Sequence, residues 1–273
     1  MNTIAKRREM KGARHLRNGS TIYWWVEILA ILAFYLVYSA IRNANGSHPR
    51  HAYRNALDII SLEHHLGIFH EATIQSWALH FKPLIITANY LYGSLHFIVT
   101  IWVAVWLFRS HTNDYPRYRN TLAITTALAL IGFTLYPLMP PRLLDSYALE
   151  HHLRLHLGFV DTLDRYPTPW SFSSGPAAKV SNQFAAMPSV HIAWATWCAL
   201  ALVPRMKTRA RKTLAAGYPV LTLVVIVITA NHYVIDAVGG LAILTIGWVL
   251  GNRFTRAGRE AEPRELGSAA FEP

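Results

Sequence analysis

The sequence contains one cysteine and few charged residues. Of its 273 residues 15% are charged, whereas soluble domains carry about 25%. The single cysteine, Cys198, lies inside an apolar run, which excludes an intrachain disulfide and a cysteine-based metal site. Acidic residues are scarce, with 15 against 26 basic ones and a net charge of +11. Because the basic residues lie between apolar runs rather than along one stripe, anionic lipid headgroups rather than nucleic acid are the expected partner.

Long apolar runs separate the charged residues. Hydrophobic residues make up 52% of the chain, and 122–139 and 220–230 hold no charged side chain. These runs exclude intrinsic disorder and argue against a cytosolic enzyme. A bilayer core of about 30 Å needs roughly 20 helical residues to cross it. Six segments meet that requirement: Thr21–Ile41, Pro83–Phe108, Asn120–Met139, Met187–Val203, Thr213–Ala230 and His232–Gly251.

The sequence therefore predicts an all-α, polytopic membrane helix bundle with six transmembrane helices. With the N-terminus in the cytoplasm, 18 of the 26 basic residues fall on the inside, as the positive-inside rule requires. Residues 1–20 form a basic cytoplasmic segment, 21–251 the catalytic membrane domain, and 252–273 a cytoplasmic tail expected to be disordered. Apolar residues at helical spacing within 54–80 predict short amphipathic helices on the outer face. The expected location is the plasma (inner) membrane.

Polar residues gather at the outer ends of three predicted helices. The third helix ends in Tyr136–Arg142, the fourth begins with Met187–His191, and the sixth begins with Asn231–Asp236. Ionisable groups at membrane depth cost a few kcal/mol, so they mark functional positions. The topology brings these three segments to one extracytoplasmic face, where we expect the active site.

The residue types in these segments are those that phosphoryl transfer needs. His232 and Asp236 are four residues apart and share a helical face. The carboxylate can therefore hold one imidazole nitrogen as N–H and leave the other as a nucleophile. Ser189 and His191 lie in a first helical turn, which favours an anion. Arg142 offers a planar fork that suits phosphate oxygens.

Two of these segments resemble signature motifs of a known family. Met187–His191 and Asn231–Asp236 are similar to the second and third motifs of the type 2 phosphatidic acid phosphatase superfamily. The inositol-phosphotransferase branch, which includes fungal inositol phosphorylceramide synthase, is the closer match, because Val190 stands where the phosphatases more often have glycine. Bacterial relatives also resemble this chain at Asn89–His96 and Tyr136–Arg142.

The resemblance implies a role for each residue. His232 attacks phosphorus and becomes a phosphohistidine, and Asp236 orients it. His191 protonates the leaving alkoxide and then deprotonates the acceptor, while Ser189 and Arg142 bind phosphate oxygens. The family mechanism uses no metal and no cofactor. The implied substrate is a phospholipid or a polyprenyl phosphate.

The chain departs from the family pattern in its cations. The arginine usually found six residues before the motif histidine is Ile226 here, and the lysine-containing first motif is absent. Lys179 is therefore a candidate for part of the phosphate site, unless the donor is a less charged phosphodiester. Asn89, Tyr92 and His96 lie on the second predicted helix, where they either line a headgroup pocket or make interhelical hydrogen bonds.

The predicted function is a lipid phosphatase or phosphotransferase that works at the outer leaflet, with inositol-phosphate transfer to a lipid acceptor as one form of it. The alternative is a proton-coupled transporter with a histidine relay. A transporter would spread ionisable residues over several depths, whereas here they cluster at one end. The donor, the acceptor and the oligomeric state are not determined by the sequence.

Overall fold

A computed structural model describes residues 13–16, 21–45, 48–166, 168 and 183–261 of the chain. These residues are mostly helical, which confirms the all-α prediction. A short antiparallel pair, β1 (Ala13–His15) and β2 (Thr21–Tyr23), precedes the helices. The α-helices are α1 (Trp24–Asn45), α2 (Pro49–His65), α3 (Glu71–Leu79), α4 (Lys82–Ser110), α5 (Tyr115–Leu135), α6 (Leu144–Glu150), α7 (Thr162–Arg165), α8 (Val190–Leu202), α9 (Arg209–Ile228) and α10 (Val234–Ala261).

Each of the six predicted spans coincides with one of these helices. Within the described residues, three helices are long and apolar enough to cross a membrane, namely α4, α9 and the Val234–Arg256 part of α10. For α1, α5 and α8 the transmembrane assignment stays a prediction. The 13 residues of α8 extend about 20 Å at 1.5 Å per residue, which is shorter than the hydrocarbon core.

The region 54–80 forms two helices, α2 and α3, that cover one end of the bundle. The buried side of α2 is apolar over Tyr53, Ile59 and Ile60 and ends in Glu63. This side packs in one core cluster with Leu138, Met139 and Tyr233, among others. As a result, α2 rests against the segment that precedes α10.

The helix α8 lies inside the bundle and contacts α4, α5, α9 and α10. Its buried residues are mostly small or flat, such as Ala193, Trp197 and Cys198. The close approach of α10 depends on Gly240, because a Cβ there would overlap the backbone carbonyl oxygen of Ser189. Small residues let membrane helices pack at short range, and here they bring the starts of α8 and α10 together.

Two ion pairs lie at the opposite end of the bundle. Arg119 contacts Glu27 across 2.6 Å, and Arg205 pairs with Asp114.

The last helix continues to Ala261, past the boundary predicted at Gly251. Residues 262–273 of the predicted tail lie outside the described part of the chain.

Candidate active site

The turn between α9 and α10 positions the predicted nucleophile. Ala230 adopts a φ of 52°, in the left-handed region that terminates many helices. The amide of Asn231 donates to the carbonyl of Ile226 (3.0 Å) and that of Ala230 to Val227 (2.9 Å). These two bonds close the end of α9 as a Schellman motif. The chain therefore reverses sharply and presents His232 just before α10 begins.

His232 lies between a carboxylate and a second imidazole. Its Nδ1 is 3.2 Å from Asp236 Oδ2, and its Nε2 is 3.2 Å from His191 Nδ1. Asp236 Oδ2 also accepts from the backbone N–H of Tyr233 at 3.0 Å. An acceptor carboxylate holds the proton of His232 on Nδ1. The lone pair of His232 is then on Nε2, and His191 donates its Nδ1–H toward it.

Ser189 connects the starts of α8 and α10. Its backbone N–H donates to the carbonyl of Asp236 at 2.9 Å, and its Oγ accepts from the N–H of Ile192 at 3.5 Å as the N-cap of α8. The cap uses a lone pair of the hydroxyl and leaves its O–H able to donate. The same contacts fix the start of α8, in which His191 is the second residue.

Arg142 is held against the His232 turn by three contacts. Its backbone N–H donates to the carbonyl of Ala230 at 2.9 Å, and its Nε donates to Asn231 Oδ1 at 2.9 Å. Its Nη1 forms an ion pair with Asp161. The side chain is 4% exposed, so these neighbours and not solvent determine its orientation. The guanidinium of Arg142 therefore contacts Asn231, the residue that precedes His232 in the chain. The carboxylate of Asp161 offsets part of its positive charge.

The three residues predicted to line a headgroup pocket divide into two groups. Tyr92 stacks on His191 with 4.6 Å between ring centroids, and His96 lies edge-on to His191 at 4.2 Å. The Nδ1 of His96 is 3.0 Å from the carbonyl of Tyr92. Asn89 does not join them: its side chain bonds the backbone and the hydroxyl of Thr162 at 2.8 and 2.9 Å. It thereby anchors the residue next to Asp161.

A narrow crevice of about 10 Å³, with room for roughly one water molecule, opens beside His191 between α4, α8 and α9. His96 and Tyr92 line it near His191, and the rest of its wall is largely apolar. The other lining residues are Leu91, Leu95, Tyr218, Thr222, Val225 and Ile226. The crevice therefore connects an imidazole to a surface made mainly of aliphatic side chains.

Sequence reasoning missed several residues that contact this site. Asp161 was one. Its partner Arg142 lies 19 residues away, and no local sequence pattern indicates that the two residues form a pair. Glu63 and Glu71 were others: both are completely buried, and they accept hydrogen bonds from the backbone of α10. A signal existed for Glu63, which continues the apolar face of α2. The predicted Lys179 lies outside the described residues.

The polar groups at this end are those of an acid–base and anion site. In the described part of the chain, no group of three or more His, Cys, Asp or Glu residues is arranged to hold a metal ion. What the geometry offers is an imidazole with an oriented lone pair, a second imidazole that donates to it, and a buried guanidinium.

Comparison with known proteins identifies the family. A family model described as PAP2 superfamily matches residues 57–250, which include every element of the site described above. The chain belongs to the PAP2 superfamily, as the motifs predicted. No curated protein and no solved structure matches the chain. Membership and the apolar helices indicate a membrane protein with a phosphatase- or phosphotransferase-type activity on a lipid phosphate.

Proposed function

We propose that this protein cleaves a lipid phosphate ester at the outer leaflet and transfers the phosphoryl group through a phosphohistidine on His232. The observation that carries the proposal is the continuous hydrogen-bonded series Asp236–His232–His191 beside the guanidinium of Arg142. A nucleophile, its orienting base, a proton donor and an anion-binding group are the parts that such a displacement requires.

The first half-reaction forms the phosphoenzyme. The phosphate group enters between the two imidazoles and replaces the hydrogen bond from His191 Nδ1 to His232 Nε2. The lone pair of His232 Nε2 then attacks phosphorus, so that a P–N bond forms while the P–O bond to the leaving group breaks. His191, protonated on both ring nitrogens in this step, gives its Nδ1 proton to the departing alkoxide and is left as a neutral imidazole. Asp236 stabilises the positive charge that develops on the imidazole of His232.

The second half-reaction releases the phosphoryl group. The acceptor O–H gives its proton to His191, its oxygen bonds to phosphorus, and the P–N bond breaks to restore His232. Water as the acceptor gives a phosphatase, and an alcohol gives a phosphotransferase. Inositol-phosphate transfer to a lipid acceptor is the transferase form that the motif resemblance favours.

The charge balance of the site favours a phosphodiester donor. Arg142 is paired with Asp161, and Ile226 occupies the position where relatives carry a second arginine. A phosphomonoester carries up to two negative charges, whereas a phosphodiester carries one. Among the residues that the structure describes, the site has one partly neutralised guanidinium, which suits the singly charged group better, since a second buried negative charge would lack a partner among them.

The bundle is consistent with a lipid that enters from the membrane. The crevice between α4, α8 and α9 has room for only about one water molecule, so the chain of a lipid whose phosphate reaches His232 would lie at its mouth, against the aliphatic side chains of these helices. We place this end at the extracytoplasmic face of the plasma membrane, with six helices crossing the bilayer and both termini inside. Ser189 would donate its hydroxyl to a phosphate oxygen, while Tyr92 and His96 would contact the group next to it.

Turnover assays on the purified full-length protein test this function. The protein is incubated in mixed micelles with radiolabelled phosphatidylinositol, other phospholipids, phosphatidic acid or a polyprenyl phosphate, with and without an alcohol acceptor. Release of free phosphate from a phosphomonoester, or of inositol phosphate from phosphatidylinositol, identifies hydrolysis, and a new labelled lipid identifies transfer. We expect His232→Ala to abolish both reactions and also the acid-labile labelling of the protein that a phosphohistidine produces.

His65→Ala is the matched control, because it removes an exposed histidine of α2 and should leave turnover unchanged. Full activity of a correctly inserted His232→Ala protein would overturn the proposed mechanism. Proton-coupled flux in proteoliposomes without lipid turnover would favour the transporter alternative, for which the family match gives no support.

A further inference from the structure

Two carboxylates from the covering helices end at the first turn of α10. Glu63 Oε1 accepts from the backbone N–H of Ile235 at 2.8 Å, and Glu71 Oε1 accepts from Val234 at 2.9 Å. Together with Asp236, which accepts from Tyr233, they bind three consecutive amides directly after the nucleophile. Both glutamates are completely buried, so water cannot replace them.

This arrangement substitutes for an ordinary helix cap. The first amides of a helix have no partner within the helix, and a Ser, Thr, Asp or Asn at the N-cap normally supplies one. The residue before α10 is Tyr233, whose hydroxyl instead donates to the carbonyl of Met139 at 3.0 Å. The capping groups therefore come from α2 and α3, more than 160 residues earlier in the chain. The position of His232 thus depends on how the covering helices dock.

The burial of so many carboxylates requires a proton. The titratable groups that face Glu63 are Glu71 from α3 and, from the segment of His232, Asp236 and Tyr233. The Oε2 atom of Glu63 is buried and has no hydrogen-bond donor among the described residues. Three ionised carboxylates around one helical turn would repel one another strongly. A proton on Oε2 of Glu63 removes one charge and leaves Oε1 free to accept from Ile235.

We infer that Glu63, as a neutral carboxylic acid, and Glu71 are positioning residues that hold the His232 turn in the geometry for attack. The inference rests on the proposed function, since it concerns the same nucleophile. Neither glutamate touches the reacting atoms. The pair acts through the backbone of Val234 and Ile235, and through them on the spacing between His232 and Asp236.

The ionisation of Glu63 gives the positioning role a pH dependence that a merely structural contact would not show. Burial in the first place, and then the neighbouring carboxyl of Glu71, raise the pKa of Glu63 to about 8. Above that pH the added charge faces Glu71 and Asp236, and we expect the turn to shift. Turnover should therefore fall above pH 8, to about a tenth of its plateau one pH unit higher.

The test compares Glu63→Gln with Glu63→Leu and the wild type. Glutamine keeps an oxygen for Ile235 and supplies an N–H toward Glu71 without a titratable proton. We expect Glu63→Gln to retain turnover at pH 7 to within about threefold and to lose the decline above pH 8. Glu63→Leu should lower kcat about tenfold or more with a smaller effect on KM. Glu150→Gln, which removes an exposed carboxylate of α6, is the control and should keep the wild-type pH profile.

Infrared titration provides a readout that does not depend on activity. The wild type should show the C=O band of a protonated carboxylic acid that disappears near pH 8, and Glu63→Gln should lack it. Loss of that band with an unchanged pH profile would overturn the positioning role. Absence of the band from the wild type would overturn the proton on Glu63. If the wild type turns over no lipid phosphate, the proposed function fails, while the infrared result still decides whether the proton is present.

Discussion

His191 and His232 face each other with 3.2 Å between Nδ1 and Nε2, although 41 residues separate them in the sequence. The contact has a direction, because Asp236 holds the proton of His232 on the far nitrogen. The proton between the two rings therefore belongs to His191. In the proposed reaction, the same proton passes to the leaving group once phosphate lies between the rings.

This assignment predicts that the need for His191 depends on the leaving group. His191→Ala should slow cleavage of a natural phospholipid by about 10²–10⁴-fold, because an alkoxide needs a proton to depart. A donor with a nitrophenolate leaving group needs no such proton, so its first step should be much less affected. Burst kinetics of the nitrophenolate release and steady-state turnover of the lipid measure the two effects. Equal losses for both donors would contradict the role of His191 as the acid.

The ion pair between Arg142 and Asp161 predicts a change in substrate preference. Asp161→Asn keeps an acceptor for the guanidinium but removes the charge that offsets it. We expect the kcat/KM ratio of a phosphomonoester to a phosphodiester to rise about tenfold, equivalent to ~1.4 kcal/mol. Competition between phosphatidic acid and a phosphodiester lipid measures this ratio. Asp164→Asn, an exposed change in α7, the helix that Asp161 caps, should leave the ratio unaltered, and an equal response of both variants would refute the charge argument.

The close packing of α10 on α8 predicts that Gly240 tolerates no side chain. In Gly240→Ala the new methyl group would overlap the carbonyl oxygen of Ser189, so α10 must move away from α8. Overpacking of this kind costs about 1–3 kcal/mol, and the shift should also separate His232 from His191 and reduce turnover. Thermal unfolding and the lipid assay report the two effects. Gly217→Ala, where nothing lies within 4 Å of the added atom, should leave both nearly unchanged or raise stability slightly.

The raised pKa of Glu63 also predicts a pH dependence of stability. The folded chain keeps this proton up to about pH 8, whereas the unfolded chain loses it near the ordinary value of 4.5. Between these values the folded state binds more protons, so the free energy of unfolding falls as pH rises, by at most ~1.4 kcal/mol per pH unit. Below the lower value and above the upper one this contribution is constant.

Thermal unfolding of the wild type and Glu63→Gln across that window checks the sign. The difference in Tm between the two proteins should change in favour of the variant as pH rises toward 8. A constant difference over the whole window would show that Glu63 keeps the same ionisation state in both the folded and unfolded chains.

Much of the fold could be predicted because its signals are local. Apolar runs such as 220–230 mark helices by themselves, and each of the six predicted spans coincides with a helix. The boundaries were less accurate: α10 continues to Ala261, since helix propensity does not end where the apolar run does. The hairpin β1–β2 was not anticipated, because three-residue strands carry too little pattern to detect.

The site was predicted in part. The contacts between residues close together in the sequence could be predicted, and those between distant residues could not. His232 and Asp236 could be paired from their spacing, because four residues apart on a helix is a local geometry. Asn89 was expected beside the headgroup or in an interhelical hydrogen bond, and its side chain bonds Thr162, the first residue of α7. Its partner lies 73 residues away, and no local pattern links an amide to a threonine over that distance.

The sequence by itself determined which segments are apolar enough to form helices and which side chains at their ends can carry phosphoryl-transfer chemistry. Both follow from residue type and spacing within a few turns of chain. Only the tertiary structure decided that Asp161 offsets the charge of Arg142 and that Glu63 and Glu71 cap the helix behind His232. Those contacts join segments far apart in the chain. Which carboxylates make them depends on how α2 and α3 dock on the bundle, because other acidic residues of the chain have the same chemistry.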